Sequence, residues 1–215
     1  MPSSLATTEL RGALCLDQMQ PQFAALCAAN SDGFFPVAGE SSYWLEVRPG
    51  IVINRLMDAA LKNCDVKPGA LITERSYGTV EVHAADQGMV RQAGARMLQV
   101  LDKQESDGLA PNVLTDEIIR QIDDHQAMML NRTRQGMLVL GGDTLYTFEV
   151  NPAVFAVLAA NEAEKASPIR LVGLDPSGAV GRVRLAGGDA EIEEAVKAVH
   201  TALGEIRGRA NEGID

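Results

Sequence analysis

The strongest constraint on the fold is an internal repeat. The stretch Tyr43-Trp44-Leu45-Glu46-Val47-Arg48-Pro49 shares its Tyr, Glu, Val and Pro with Tyr146-Thr147-Phe148-Glu149-Val150-Asn151-Pro152. Glu46 and Glu149 therefore set an offset of 103 positions, and this offset matches further pairs without a gap: Gly39 with Gly142, Gly78 with Gly181, and Asp86 with Asp189. Shared glycine, proline and aspartate carry the most weight, because these residues fix turns and helix caps. We expect two copies of one structural unit.

The repeat predicts two units of similar length. We place the first at residues 10–104 and the second at residues 113–206, joined by the polar segment Lys103–Asn112. Each unit has about 100 residues, which is long enough to bury a hydrophobic core. Residues 1–9 and 207–215 fall outside both units, and we expect them to form tails.

Short apolar runs bounded by turn residues indicate the strands. Leu10–Leu16 is predicted to be a strand, and Val113–Ile119 mirrors it in the second unit. Two glycine turns then suggest β-hairpins, which we expect to pair these segments: Phe34–Val37 with Ser42–Val47, and Met137–Leu140 with Thr144–Val150.

An amphipathic helix follows in each unit, starting near Pro49 or Pro152, where proline suits the first helical turn. Strands Ala70–Glu74 and Thr79–Ala84 come next in the first unit. A second helix is expected after them, with Asp86 as its N-cap and Asp189 in the same place in the second unit. We therefore predict an α+β fold of two domains, each an antiparallel sheet with two helices on one face.

Composition narrows the class of protein. The 215 residues are 46% hydrophobic and carry a net charge of −10, which suits a globular protein and lacks the basic face that nucleic-acid binding requires. No apolar run approaches the length of a membrane span, and the segment after Met1 does not resemble a signal peptide. We expect a cytosolic protein whose three cysteines stay reduced: Cys15, Cys27 and Cys64.

Motifs for catalysis or metal binding are lacking in the sequence. His83, His125 and His200 have no His or Cys partner at ligand spacing, so we expect no metal, no cofactor and no enzymatic activity. The polar cluster Asp123-Asp124-His125 is compatible with a carboxylate-oriented base, but a helix start is the better interpretation. Asn131, Arg132 and Arg134 could bind an anion or contact another subunit, and the sequence leaves both open.

A charged loop distinguishes the two copies. Ile72-Thr73-Glu74-Arg75-Ser76-Tyr77-Gly78 is predicted to be a strand that runs into a loop, and the offset places Ser177-Gly178 opposite Glu74-Arg75. Taken alone, Glu74-Arg75 is best explained as a solvated surface pair. Gly178-Ala179-Val180-Gly181 favours a tight turn over a phosphate site. Lys62 and Lys165 recur near a helix end, where they either complement the helix dipole or form an interface.

Several stretches resemble the bacterial microcompartment shell domain. The most specific are Ile53-Asn54-Arg55 through Lys62, Glu74-Arg75 with Tyr77-Gly78, Leu130-Asn131-Arg132, and Leu158 through Ala166. The strands before Tyr43 look like the carboxy-terminal strands of that domain moved to the front, which is the circularly permuted variant. Two fused permuted copies resemble the tandem-domain, trimer-forming shell proteins of carboxysomes.

The resemblance implies an assembly and a pore. Three chains would form a homotrimer that is a pseudohexamer, and two such trimers can stack face to face. Glu74 and Arg75 would gate a central pore on the threefold axis, with Ser76, Ser177 and Gly178 at its rim. Lys62 and Lys165 would make lattice contacts with neighbouring tiles.

The expected function is therefore structural and non-enzymatic. The chain would be a tile of the carboxysome shell in the cytoplasm, assembled with hexameric shell proteins. Its pore would pass anionic metabolites such as phosphorylated sugars and sugar acids. The alternative is a duplicated ferredoxin-like regulatory protein that binds a small molecule between subunits.

Overall fold

The computed structural model describes residues 7–213. In the first half the elements are β1 (Glu9–Leu16), α1 (Pro21–Ala29), β2 (Ser41–Arg48), α2 (Ile53–Asn63), β3 (Lys67–Glu74), β4 (Tyr77–Ala84) and α3 (Gln87–Leu101). The second half repeats them as β5 (Asn112–Ile119), α4 (Asp124–Arg132), β6 (Thr144–Asn151), α5 (Phe155–Ala166), β7 (Arg170–Asp175), β8 (Gly181–Gly187) and α6 (Asp189–Glu205). Residues 1–6 and 214–215 of the predicted tails lie outside the described residues.

The sheets confirm the repeat and the predicted α+β fold. The strand orders are β1-β2-β4-β3 and β5-β6-β8-β7, and every pairing is antiparallel. Even the register is shared, because Leu45 pairs with Val80 and Phe148 with Val183, both shifted by the same 103 positions. Helices α2 and α3 pack together on the first sheet, and α5 and α6 on the second.

The predicted hairpins are wrong, although their glycine turns are present. Phe34–Val37 and Met137–Leu140 are loops, because β2 and β6 already have a strand on each side. These loops bond instead to the outer strands: Phe34 N donates to Pro68 O at 2.8 Å, and Met137 N donates to Leu171 O at 2.8 Å. Gly39 and Gly142 have φ of +90° and +84°, so each turn uses the left-handed region that glycine favours.

The second helices begin differently in the two halves. Asp86 caps α3 as predicted, and its Oδ1 accepts from Gly88 N at 2.7 Å. Asp189 is not the N-cap of α6, because Gly188 precedes the helix and Asp189 is its first residue. The Glu191 carboxylate accepts from Gly188 N at 2.8 Å, and Thr144 Oγ1 donates to Asp189. A glutamate three residues into the helix thus replaces the aspartate cap.

The two halves share a hydrophobic core. Trp44, Phe23 and Leu26 of the first half lie in one buried cluster with Phe155 and Leu171 of the second. Helix α1, which the sequence analysis missed, contacts α5 and β7 of the second half, and its Phe23 also packs against Trp44 on β2. No helix within residues 7–213 is both long enough and apolar enough to cross a bilayer.

Candidate functional site

The Glu74–Arg75 pair lies at the tip of the β3–β4 hairpin. Glu74 ends β3 and pairs with Tyr77 at the start of β4, so Arg75 and Ser76 form a two-residue turn. Glu74, Arg75 and Ser76 are exposed. Arg75 has φ of 52°, a left-handed conformation that costs a side-chain-bearing residue about 1–2 kcal/mol.

The matching loop of the second half lies against this hairpin. Gly178 occupies the repeat position of Arg75 and is also left-handed, with φ of +89°. A Cβ at residue 178 would lie 2.6 Å from Glu74 Oε2, so the Glu74 carboxylate packs directly on Gly178. Thr79 Oγ1 donates to Pro176 O at 3.4 Å across the same boundary. The structure therefore brings the predicted gate residue Glu74 to the predicted rim.

Arg75 is available for a ligand or a neighbouring subunit. Among the residues that the structure describes, neither Glu74 nor Arg75 takes part in an ion pair. Arg75 and Ser76 line an open groove of about 550 Å³ together with Arg48 and Thr73. The two guanidinium groups suit an oxygen-rich anion, and the Glu9 carboxylate lines the same groove.

A buried ion pair of the first half also accepts a hydrogen bond from the second half. Glu46 on β2 is fully buried and accepts from Arg11 Nε at 2.6 Å and from Val154 N of the second half at 2.8 Å. Burial raises the pKa of Glu46, and the Arg11 guanidinium opposes that effect. Arg11 also lies 4.5 Å from the centre of the Tyr77 ring. The sequence analysis missed this joint, although a glutamate kept in both apolar strands was a signal.

The same position in the second half is open to solvent. The Glu149 side chain is 32% exposed and accepts from Arg182 Nε at 2.7 Å and from Thr115 Oγ1 at 2.8 Å. The pKa of Glu149 is lowered, chiefly by the hydrogen bond from Arg182 and then by that from Thr115. Glu149 is therefore a carboxylate that stays ionised in water while its copy, Glu46, is enclosed.

Lys62 and Lys165 lie far out on the surface. Their side chains are 71% and 63% exposed, and each pairs with an acid one turn back on its own helix, Asp58 at 2.8 Å and Glu162 at 3.2 Å. Exposed pairs of this kind add at most about 0.2–1 kcal/mol to stability. Both lysines can therefore exchange these partners for a carbonyl or carboxylate of a neighbouring molecule.

Three further polar residues that the sequence singled out make contacts within the fold. Asp123 caps α4, as the helix-start interpretation predicted, by accepting from His125 N at 2.8 Å. Asn131 Oδ1 accepts from Val139 N at 2.9 Å and its amide donates to Val139 O, which holds the following loop. His83 is buried beside Glu81, and the pKa of Glu81 is raised by burial. Within residues 7–213, no group of three or more His, Cys, Asp or Glu could hold a metal ion.

Known proteins match this chain over nearly its whole length. Residues 10–107 match the family described as the CsoS1D N-terminal domain. The carboxysome shell protein CcmP of Synechococcus elongatus is 45% identical over 95% of this chain and 96% of its own. The fused permuted hexameric shell protein MSM0275 of the RMM microcompartment superposes with a TM-score of 0.90 at 37% identity, covering 94% of this chain and 99% of its own. The double ringed trimeric shell protein MSM0271 of the RMM microcompartment superposes with a TM-score of 0.91 at 38% identity, covering 95% of this chain and 100% of its own.

Fold and sequence together define the class. Two permuted α+β units on one chain, with a hairpin tip from each meeting at one end, are the architecture of a tandem-domain microcompartment shell protein. The chain belongs to the family of carboxysome shell proteins that includes CcmP and CsoS1D. The relatives are named as shell proteins and not as enzymes.

Proposed function

We propose that the protein is a tile of the carboxysome shell with a gated central pore. Three chains form a pseudohexameric ring, two rings can stack, and hexameric shell proteins surround each tile. Glu74 and Arg75 from each chain face the threefold axis and control the passage of anionic metabolites such as phosphorylated sugars and sugar acids. Ser76, Ser177 and Gly178 form the uncharged part of the rim.

The observation that carries this proposal is the contact between the Glu74 carboxylate and Gly178. It places the charged tip of one half beside the small, uncharged tip of the other, as alternating positions around one pore require. Arg75 supports the proposal through its left-handed backbone. Strained residues of this kind recur in segments that switch between two conformations.

The energies suit a switch that a ligand can move. In a closed ring, Glu74 of one chain would pair with Arg75 of the next. Each such partly exposed pair contributes about 0.2–1 kcal/mol, so three of them contribute about 0.6–3 kcal/mol. A metabolite needs only a similar difference in affinity to shift the population toward the open state.

An arginine ring also explains how an acidic protein can pass anions. The chain has a net charge of −10, but three guanidinium groups on one axis dominate the local potential. Arg75 in the open state would attract phosphate or carboxylate groups, and Ser76 would supply hydroxyl hydrogen bonds.

The double variant Glu74→Ala/Arg75→Ala tests the gate. Without either partner the closed state loses its ion pairs, so we expect every ring to have an open pore. Cryo-electron microscopy of rings or of assembled shells would count open and closed pores in the variant and in the unaltered protein.

A matched control removes equal charges elsewhere. Glu194→Ala/Lys197→Ala deletes an exposed ion pair on α6 and should leave the ratio of open to closed pores unchanged. Closed pores in the Glu74→Ala/Arg75→Ala rings would refute the gate assignment.

Lys62→Ala tests the lattice contact. Because the lysine side chain is exposed and its local pair is weak, we expect an unchanged ring mass in light scattering. Sheets seen by negative-stain microscopy at low salt should be lost or shrink about tenfold in area, since one contact recurs at every tile edge. Lys165→Ala should weaken sheets similarly, and Lys197→Ala, also exposed, should not. Normal sheets from both Lys62→Ala and Lys165→Ala would show that these lysines do not join tiles.

A further inference from the structure

The two halves contact each other through two different surfaces, one on each half. Because the halves are copies, each half also carries a copy of the surface that the other half uses. The donor surface is Gly12, Phe23, Leu26 and Glu46, which packs on the receptor surface formed by Val154, Phe155 and Glu164. The repeat offset of 103 places a second donor surface on the second half: Thr115, Gln126, Met129 and Glu149. It places a second receptor surface on the first half: Ile51, Val52 and Leu61.

Three apolar side chains on these second surfaces are exposed, namely Ile51, Leu61 and Met129, whereas Val52 is buried in the core of its own half. Val154 is 0% exposed, but its copy Ile51 is 68% exposed. Leu26 is 5% exposed, but its copy Met129 is 67% exposed. Exposed apolar side chains grouped in this way mark a surface that binds another protein.

The polar groups at the second surfaces match as well. Glu46 accepts from Val154 N at the start of α5, and Ile51 N holds the same place in the turn Gly50–Val52 before α2. The first N–H groups of a helix lack partners within it, so they seek an outside acceptor. Glu149 carries the corresponding acceptor, half-exposed on the second donor surface.

The charged partners of Glu46 and Glu149 lie on different strands, and this difference is compatible with a contact that forms between chains. The partner of Glu46 is Arg11 on β1, whose copy is Leu114, while the partner of Glu149 is Arg182 on β8. Glu149 therefore has a charged partner before any neighbour arrives, so enclosing it leaves no unpaired charge.

The N-termini of α1 and α4 are capped in different ways. Helix α1 has no side-chain cap of its own, and Glu164 of the other half accepts from Gln22 N and Phe23 N, both at 2.8 Å. Helix α4 has its own cap, Asp123, and the copy of Glu164 is the apolar Leu61. Because Asp123 already caps α4, the surface that packs on α4 needs no acidic residue, and the apolar Leu61 suits that position.

We propose that Glu149 of one chain accepts a hydrogen bond from the Ile51 backbone N–H of the next copy, with Thr115 packed on the Ile51 side chain. The internal joint is thus repeated between chains. The proposal rests on the proposed ring and names the contact that closes it. The contact is head-to-tail, which generates a closed ring when the rotation between subunits closes.

A disulfide trap tests the contact. A Cβ at Gly12 would lie 2.7 Å from Val154 Cγ1, which is closer than side chains pack, so Thr115 must lie slightly farther from Ile51 of the neighbouring chain than Gly12 lies from Val154. We expect the Cβ atoms of residues 115 and 51 to lie within the 3.5–4.5 Å that a disulfide spans. After oxidation of Ile51→Cys/Thr115→Cys, we expect linked dimers and trimers on non-reducing gels, with the linkage confirmed by mass spectrometry. The single variants retain Cys15, Cys27 and Cys64 and should stay unlinked.

Dissociation of the ring is the second readout. Glu149→Ala and Ile51→Asp should each raise the midpoint concentration for dissociation, measured by sedimentation, about tenfold or more, since a charge-assisted hydrogen bond is lost or two carboxylates are opposed. Glu194→Ala removes an exposed carboxylate from α6 and should leave the midpoint unchanged.

The outcomes separate the contact from the ring itself. If the Ile51→Cys/Thr115→Cys chains stayed unlinked and Glu149→Ala dissociated like the unaltered protein, the proposed contact would be wrong. An intact trimer in light scattering would still support the proposed function in that case. A monomer at every concentration of the unaltered protein would overturn both.

Discussion

Glu46→Ala is expected to lower the free energy of unfolding by about 3–5 kcal/mol, because it leaves Arg11 buried without a counter-ion. It also removes the acceptor of Val154 N, so it weakens the joint between the halves as well as the first sheet. For a chain of this length, that loss corresponds to a fall in Tm of roughly 6–20 °C. Urea unfolding followed by circular dichroism at fixed protein concentration measures it.

A double variant that removes both charges tests whether the unpaired Arg11 causes the loss of stability. Replacing both charges, in Arg11→Met/Glu46→Met, should recover part of the loss, because no unpaired charge remains buried. Full recovery is not expected, since Val154 N still lacks an acceptor. Glu194→Ala, on an exposed carboxylate, should stay within about 0.5 kcal/mol of the unaltered protein. A Glu46→Ala protein as stable as that control would contradict the buried pair.

Phe23→Ala should destabilise the protein by about 3–5 kcal/mol, because the ring is fully buried between the halves. Phe23 lies edge-on to Trp44 at 6.4 Å in the core that α1 shares with α5. Its removal leaves a cavity and loosens α1 from the second half. Hydrogen exchange should therefore become faster in α1 and α5 than in α3, in addition to the fall in the urea midpoint.

The chain offers a control with identical chemistry. Phe35→Ala removes the same atoms from a side chain that is 67% exposed, so it should change stability by less than about 1 kcal/mol. Equal losses from both variants would mean that α1 does not hold the halves together.

Much of the fold could be predicted because the repeat made each signal visible twice. Glycine turns at Gly39 and Gly142, the Asp86 cap and the loop at Glu74 depend on local chemistry, and the structure has them where the sequence indicates. The hairpin at Phe34–Val37 failed because apolar alternation cannot tell whether a neighbouring strand position is already taken.

The joint between halves was beyond local patterning. Helix α1 spans nine residues and buries its apolar side chains between the two halves, so no single unit explains its composition. Glu46 and Glu149 are the same residue in the same strand register, yet one is enclosed and the other is half-exposed. They differ in their charged partners, Arg11 and Arg182, and in the contact that Glu46 makes with the other half.

The placement of α1 has a consequence for biosynthesis. The helix is complete at Ala29, but the residues it covers, Asn161 to Leu171, are made more than 130 positions later. At about 5–20 residues per second, a nascent chain would hold this apolar helix uncovered for on the order of 10 s. We therefore expect chaperones to bind the ribosome-bound chain, and overproduction of residues 10–104 alone should yield aggregates rather than a folded half.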